Sequence, residues 1–260
     1  SGRLDASPRA SRKMLRIQSS EVGMLAGYAP FKPALESAER FWKRNRPDKF
    51  HLYLEKHGVP EWYEQEHFVN TNRNARSLLK EKGNTDTENT GDIRNVLESV
   101  SRDERTQSFT EKQKQFLDNE AKSMVFRRHG TKKESVTLSD WCSANGKEAI
   151  KLEKTFKLEI HPEVCIFGKI DGITTDQELV EIKNRSGGKL FKTIKDYEMA
   201  QCQSYLRMLD LQKGYLVECL RTDEGPVVSH NALERDDAFW EDCCEKILEN
   251  IFSPRFTMMR

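Results

Sequence analysis

The stretch Cys165–Lys195, CIFGKIDGITTDQELVEIKNRSGGKLFKTIK, decides how this chain reads. Its apolar residues, with Val164 before them, spell two short strands, VCIFGKI and ELVEIK, joined by ITTDQ. A connection that short favours antiparallel pairing. Residues two apart leave the same face of a strand, so Glu181 and Lys183 share one face while Val180 and Ile182 take the other. Asp171, at the end of the first segment and followed by Gly172, falls beside them. Two carboxylates at one spot raise each other's pKa and are unfavourable unless a cation joins them. Magnesium meets that need, because it binds through one or two carboxylates and keeps positions for water and phosphate. In such a field Lys183 can orient or help deprotonate a water and neutralise developing charge.

The rest of the chain bounds this reading. At 260 residues it can bury a substantial core, and four Trp with thirteen Phe argue for a folded protein despite a charged fraction of 33%. The net charge of +1 hides local asymmetry, since Arg3, Arg9, Arg12, Lys13 and Arg16 face Asp5 alone in residues 1–20. The polar opening SGRLDASPRAS reads, with its basic neighbours, as a flexible arm over residues 1–15. None of the six cysteines makes a C-x-x-C or a zinc-ligand set with His, which predicts free thiols in a reducing compartment. No apolar run approaches the roughly 18–20 residues of a membrane span, so a soluble, intracellular protein is expected.

Along the chain the period changes once. Ser19 and Ser20 precede a short apolar segment in helix-start fashion, and Pro33 opens a helix through Ala34, Leu35, Ala38, Phe41 and Trp42, with Pro47 beyond its end. Residues 48–82 read as further short helices. GNTDTENTG, residues 83–91, has no apolar residue and reads as the clearest loop in the chain, with its order left open. Thr110 and Gln113 form a capping box for a helix that should run to about Arg128 and stop at Gly130, with a second helix around 140–150. Strand patterns then follow in TFKLEIH, VCIFGKI, ELVEIK, GYLVECL and PVVSH. A helix, YEMAQCQSYLRML, separates the third from the fourth, and a last helix covers about 237–251. Helices, three strands, a helix, two strands and a helix make a mixed α/β domain with one crossover.

GKIDG followed by ELVEIKNR resembles the signature of the PD-(D/E)XK nuclease superfamily, with Asp171, Glu181 and Lys183 as its acids and lysine and Ile170 in place of the proline. QCQSY places Gln201 and Tyr205 four apart on one helix face, similar to the Q-x-x-x-Y motif of the RecB-like and lambda-exonuclease-like branches. RIQSSEVGMLAGYAPF looks like the opening of the YqaJ and lambda-exonuclease type. The resemblance implies a restriction-endonuclease-like fold. This is an α/β domain with a mixed sheet of about five strands flanked by helices and a helical N-terminal half. The single nuclease domain would span 16–260, mostly helical to 128 and catalytic from 129. The resemblance also implies that Gln201 and Tyr205 position the DNA strand or the lysine, and that Ser19 and Ser20, with Arg16, contact a phosphate. A third acid would come from a preceding helix: Glu134, four after Gly130, with Glu120 or His129 as alternates. The Ile182 carbonyl would be a further metal ligand.

The implied activity is Mg2+-dependent hydrolysis of DNA from its ends, in recombination or a related process, with Mn2+ substituting. The implied partner is DNA, held by its backbone, alongside a homo-oligomer or a recombination protein, and no membrane. Arg185, Lys189, Lys192 and Lys195, around a Gly-Gly, suit a flexible basic loop that meets phosphates with little sequence preference. Two other readings remain open at this point: an endonuclease on DNA or RNA, and a catalytically inactive nucleic-acid-binding module.

Overall fold

The computed structural model describes residues 14–260. Of the expected basic arm, residues 1–13 lie outside the described residues, and Leu15 already opens a strand. That strand, β1 (Leu15–Gln18), runs into a 3-10 turn (Ser19–Glu21) and a short helix α1 (Val22–Leu25). A helical half follows: α2 (Ala34–Asn45), α3 (Pro47–His57), α4 (Glu61–Thr71), α5 (Arg73–Gly83), α6 (Thr90–Ser101) and α7 (Glu111–Asn145). Of these helices, α5, α6 and α7 start where side chains satisfy free N–H groups. Asn72 accepts from Ala75 N, Asn89 and Asp92 form a capping box, and so do Thr110 and Gln113.

The second half supplies β2 (Ala149–Ile150), β3 (Phe156–His161), β4 (Val164–Gly168), β5 (Gly172–Thr174), β6 (Leu179–Arg185), the helix α8 (Asp196–Met208), β7 (Lys213–Thr222), β8 (Gly225–Glu234) and α9 (Asp237–Ile251). A five-stranded mixed sheet has the order β2-β5-β6-β7-β8, and a three-stranded one has β1-β4-β3. β6 and β7 are parallel, and α8 is the crossover between them. The expected architecture, a mixed sheet flanked by helices behind a helical N-terminal half, is therefore present. Val180 and Ile182 pack with Leu138 and Trp141 of α7 and with Val217, while Leu179 faces the opposite cluster with Cys202, Tyr205 and Leu206 of α8. β6 is thus sandwiched between α7 and α8.

Four expectations need correction. First, α7 passes through Gly130 and absorbs the two helices expected there. Its stop is Gly146, in the left-handed conformation at φ 61°. A glycine inside a helix weakens it by only about 1 kcal/mol. Long-range contacts outweigh that here: Asn184 Nδ2 on β6 donates to the Gly130 carbonyl at 2.9 Å, and Thr137 donates to Asn184 Oδ1 at 2.7 Å. Second, the segment read as a loop over 83–91 is shorter than that, since Gly83 ends α5 and Thr90 starts α6, and three of its residues are held by α7. Asp86 meets Arg128 at 2.8 Å and Lys132 at 2.5 Å, Glu88 pairs with Lys133, and buried Thr87 bonds His129 Nδ1 at 3.1 Å.

Third, VCIFGKI does not pair with ELVEIK. β4 ends at Gly168 and belongs with β1, in parallel, and with β3. The chain bends over 169–171, and the new strand β5 makes the hairpin with β6, matching Gly172 to Val180. Asp171 therefore lies at the seam between the two sheets. Fourth, β1, β2 and β5 were not foreseen, since strands of two to four residues show no periodicity to read.

All six cysteines are free. Among the described residues, no helix is long and apolar enough to cross a membrane.

Gly130 offers a test of this account of α7. A Cβ built there meets nothing within 4 Å, so Gly130→Ala should raise unfolding stability by about 0.5–1 kcal/mol. Chemical denaturation would measure it, and a clear loss of stability would contradict a regular helix at this position.

Candidate functional site

β6 projects Glu181 and Lys183 toward α8, as their spacing requires. They open on a cleft of about 610 Å³ lined by Ser20, Asp171, Gln201, Tyr205, Glu134 and a set of basic residues. Asp171 reaches it from the bend before β5. Its Oδ2 accepts from the backbone N–H of Ile182 at 2.8 Å. β5 pairs with β6 only up to Val180, so the Ile182 N–H would be unsatisfied without this carboxylate. A strand residue's N–H and C=O leave the same edge, which puts the Ile182 carbonyl on the Asp171 side as well.

Lys183 Nζ donates to Glu181 Oε1 and to Gln201 Oε1, each at 2.9 Å. Gln201 Nε2 donates to the same Glu181 oxygen at 2.9 Å and to Tyr205 Oη at 3.3 Å. Tyr205 Oη and Ser19 Oγ are 2.7 Å apart. A single chain of hydrogen bonds thus runs from the 3-10 turn after β1, through α8, to the lysine. Gly168 makes it possible: a Cβ there would stand 2.4 Å from Ser19 Oγ and 2.5 Å from Tyr205 Cε1.

The electrostatics are unbalanced. Glu181 is 3% exposed, and its Oε2 is buried with no hydrogen-bond partner. Burial, followed by the charges of Glu181 and Glu134, holds the Asp171 carboxyl well above its ordinary value. Asp171 keeps a half-exposed edge on the cleft, so this enclosure comes from the protein around it and leaves the carboxyl reachable. Burial also raises Glu181, although Lys183 opposes it. For Lys183 burial lowers the pKa, but the Glu181 charge and hydrogen bond outweigh it and the ammonium is held above its usual value. The site carries more negative charge than Lys183 can neutralise. Among the described residues no three His, Cys, Asp or Glu groups form a ready-made metal cage. Two carboxylates, one with an orphaned oxygen, still match an ion that takes few protein ligands and completes its shell with water and phosphate.

The remaining sequence candidates separate. Glu134 lines the cleft but is paired with Lys151 at 3.2 Å. The alternates do not line it: His129 is buried against Thr87, and Glu120 lies further along α7. Ser20 is exposed in the cleft, whereas Ser19 is buried under Tyr205. Arg16 stacks on Phe167 at 4.2 Å, outside the cleft lining. Arg185 lines the cleft, but its guanidinium is taken by Glu198 and Glu218. Lys189, Lys192 and Lys195 are exposed on the loop that follows.

Sequence reading missed Arg127, Thr131, Lys151 and Lys169, which also line the cleft. Arg127, Gly130, Thr131 and Glu134 are spaced as one helix face. That stripe becomes visible once α7 is known to continue through Gly130.

No protein-family model matches the chain, and no curated protein matches it. Among solved structures the chain is similar to a phage-related exonuclease from Haemophilus somnus 129PT, with 11% identity over 92% of this chain and 93% of that one and a TM-score of 0.45. It is also similar to an alkaline exonuclease from Laribacter hongkongensis, with 15% identity over 72% of this chain and 91% of that one and a TM-score of 0.40. Likenesses of this modest degree leave the functional reading to the geometry of the cleft.

The raised Asp171 carboxyl has a consequence for stability. A folded-state pKa above the unfolded value costs nothing below the unfolded value, and the cost grows as pH rises through the folded one. Asp171→Asn removes that charge and keeps an oxygen for the Ile182 N–H. Without added metal, it should melt higher than wild type near neutral pH, and the gap should close in acid. Thermal melts across pH would check this; a variant that melts lower at neutral pH would show that the carboxylates are not in conflict.

Proposed function

We propose that this chain is a metal-dependent DNA nuclease that hydrolyses phosphodiester bonds from DNA ends, with Mg2+ as its ion and Mn2+ as a substitute. The observation that carries the reading is the buried, unpartnered Oε2 of Glu181 beside the raised carboxyl of Asp171. Such an arrangement is unfavourable for the fold alone, and a divalent cation relieves it. Asp171, Glu181 and the Ile182 carbonyl would hold the ion, with Glu134 across the cleft as a third acid. When bound, it supplies a lowered pKa for water and stabilisation of charge on the phosphoryl oxygens.

The chain's own residues do the rest. Gln201 holds the Lys183 ammonium at 2.9 Å and is itself backed by Tyr205 and Ser19, so the lysine head cannot swing away. A fixed donor next to the reacting phosphate offsets developing charge without reorganising. Held as an ammonium by the Glu181 charge, Lys183 would orient the attacking water by donating to it. Arg127, Lys151, Lys169 and the exposed Ser20 line the approach and favour a polyanion bound by its backbone. Action at ends, with a 5′-phosphate product, is the form the motif resemblance favours.

Linear and sealed circular duplex incubated with Mg2+ test this directly. Linear DNA should be degraded and the circle spared, with cleavage lost on adding a chelator. Lys183→Met should lower kcat at least 100-fold with DNA binding by anisotropy retained. Degradation of the circle would make the protein an endonuclease. Binding without cleavage in either Mg2+ or Mn2+ would leave only a binding module.

Wild type should also gain thermal stability from Mg2+, whereas Asp171→Asn should not. An equal gain in both would move the ion away from this cleft.

A further inference from the structure

Beside the cleft lies a second set of buried charges that the proposed chemistry does not use. Arg185, at the end of β6, donates from Nε to Glu218 Oε1 at 2.6 Å and from both terminal nitrogens to Glu198 at 2.7 and 3.2 Å. Glu198 and Glu218 are both buried. Two carboxylates on one guanidinium are more negative charge than the cation needs. The surplus acceptors of Glu218 go to the loop 186–195, taking Phe191 N at 3.0 Å and Lys192 N at 3.1 Å. The Phe191 ring stacks on Arg185 at 4.1 Å.

Held this way, Lys192 has φ 63°, the left-handed region where glycine is favoured and a lysine is strained. The sequence has glycine at 187 and 188 but not here. Lys189 and Lys192 are both exposed, and neither is in an ion pair among the described residues.

We propose, resting on the nuclease reading, that Glu218 is a positioning residue for substrate. It pins the loop so that Lys189 and Lys192 meet backbone phosphates of DNA at the cleft, with Arg185 and Glu198 as its brace. Arg185 is then not itself a phosphate ligand, and the loop is fixed at Phe191 and Lys192.

The test measures cleavage kinetics on linear duplex at several salt concentrations. The variants are Lys192→Gly, the Lys189→Gln/Lys192→Gln double, Glu218→Gln and the triple. Lys192→Gly should melt no lower than wild type, because glycine adopts this φ freely, yet raise KM several-fold. The double should raise KM roughly 10–30-fold and reduce the slope of log KM against log salt by about 2. In both, kcat should stay within about twofold. Glu218→Gln should shift KM in the same direction, and the triple should be no worse than the double, since Glu218 acts through the lysines.

An unchanged KM for Lys192→Gly, or multiplying effects in the triple, overturns the inference alone. If Glu218→Gln does not fold, Lys192→Gly and the double decide it. A wild type that neither binds nor cleaves the duplex overturns the nuclease reading and this inference with it.

Discussion

Asp171 and Glu181 crowd one end of the cleft with Lys183 bonded, of the two, to Glu181 alone, and much of the local structure is arranged to hold that conflict in place. Left to themselves, two neighbouring carboxylates, one of them buried, would separate or take up a proton. They cannot separate because each is tied to the sheet. Asp171 is fastened to the Ile182 N–H, and Glu181 is fixed by the alternation of a strand whose other face is locked into the Trp141 cluster. The strain is therefore electrostatic and stored in a rigid frame, which keeps the oxygens ready for a cation.

The two charge groups flanking α8 make an instructive contrast. At Glu181 one carboxylate oxygen is left without a donor. A few residues away, both oxygens of Glu198 and both of Glu218 are satisfied, by Arg185 and by loop N–H groups. Buried carboxylates that are fully hydrogen-bonded define geometry. One that is incompletely bonded invites a ligand. The same residue type, buried to a similar degree on adjacent elements, thus has two roles, and the count of available donors separates them.

Helix α7 shows how a local rule can be overridden. Gly130 would end many helices, but here Asn184 grips its carbonyl, while Arg128, Lys132 and Lys133 flank it with ion pairs to the 84–89 link. The continuous helix brings Arg127, Thr131 and Glu134 to the cleft wall as one stripe. The polar link is held by the same contacts. The stop expected at Gly130 came from judging a segment by its own composition when its partners lay about 40 or more residues away.

What the sequence by itself determined is what nearest neighbours along the chain control. Alternation put Glu181 and Lys183 on one face of β6, helical spacing put Gln201 with Tyr205, Pro33 placed the start of α2, and a capping box placed that of α7. The placement of Asp171 beside Glu181 was also legible, although by a hairpin assigned one strand too early. Only the tertiary structure decided that Ser19 turns inward to Tyr205, that Arg185 is consumed by Glu198 and Glu218, and that Arg127, Lys151 and Lys169 converge on the same cleft. Backbone periodicity is set by sterics within a few residues. Which buried charge meets which partner depends on how distant segments are brought together, and no local pattern encodes that.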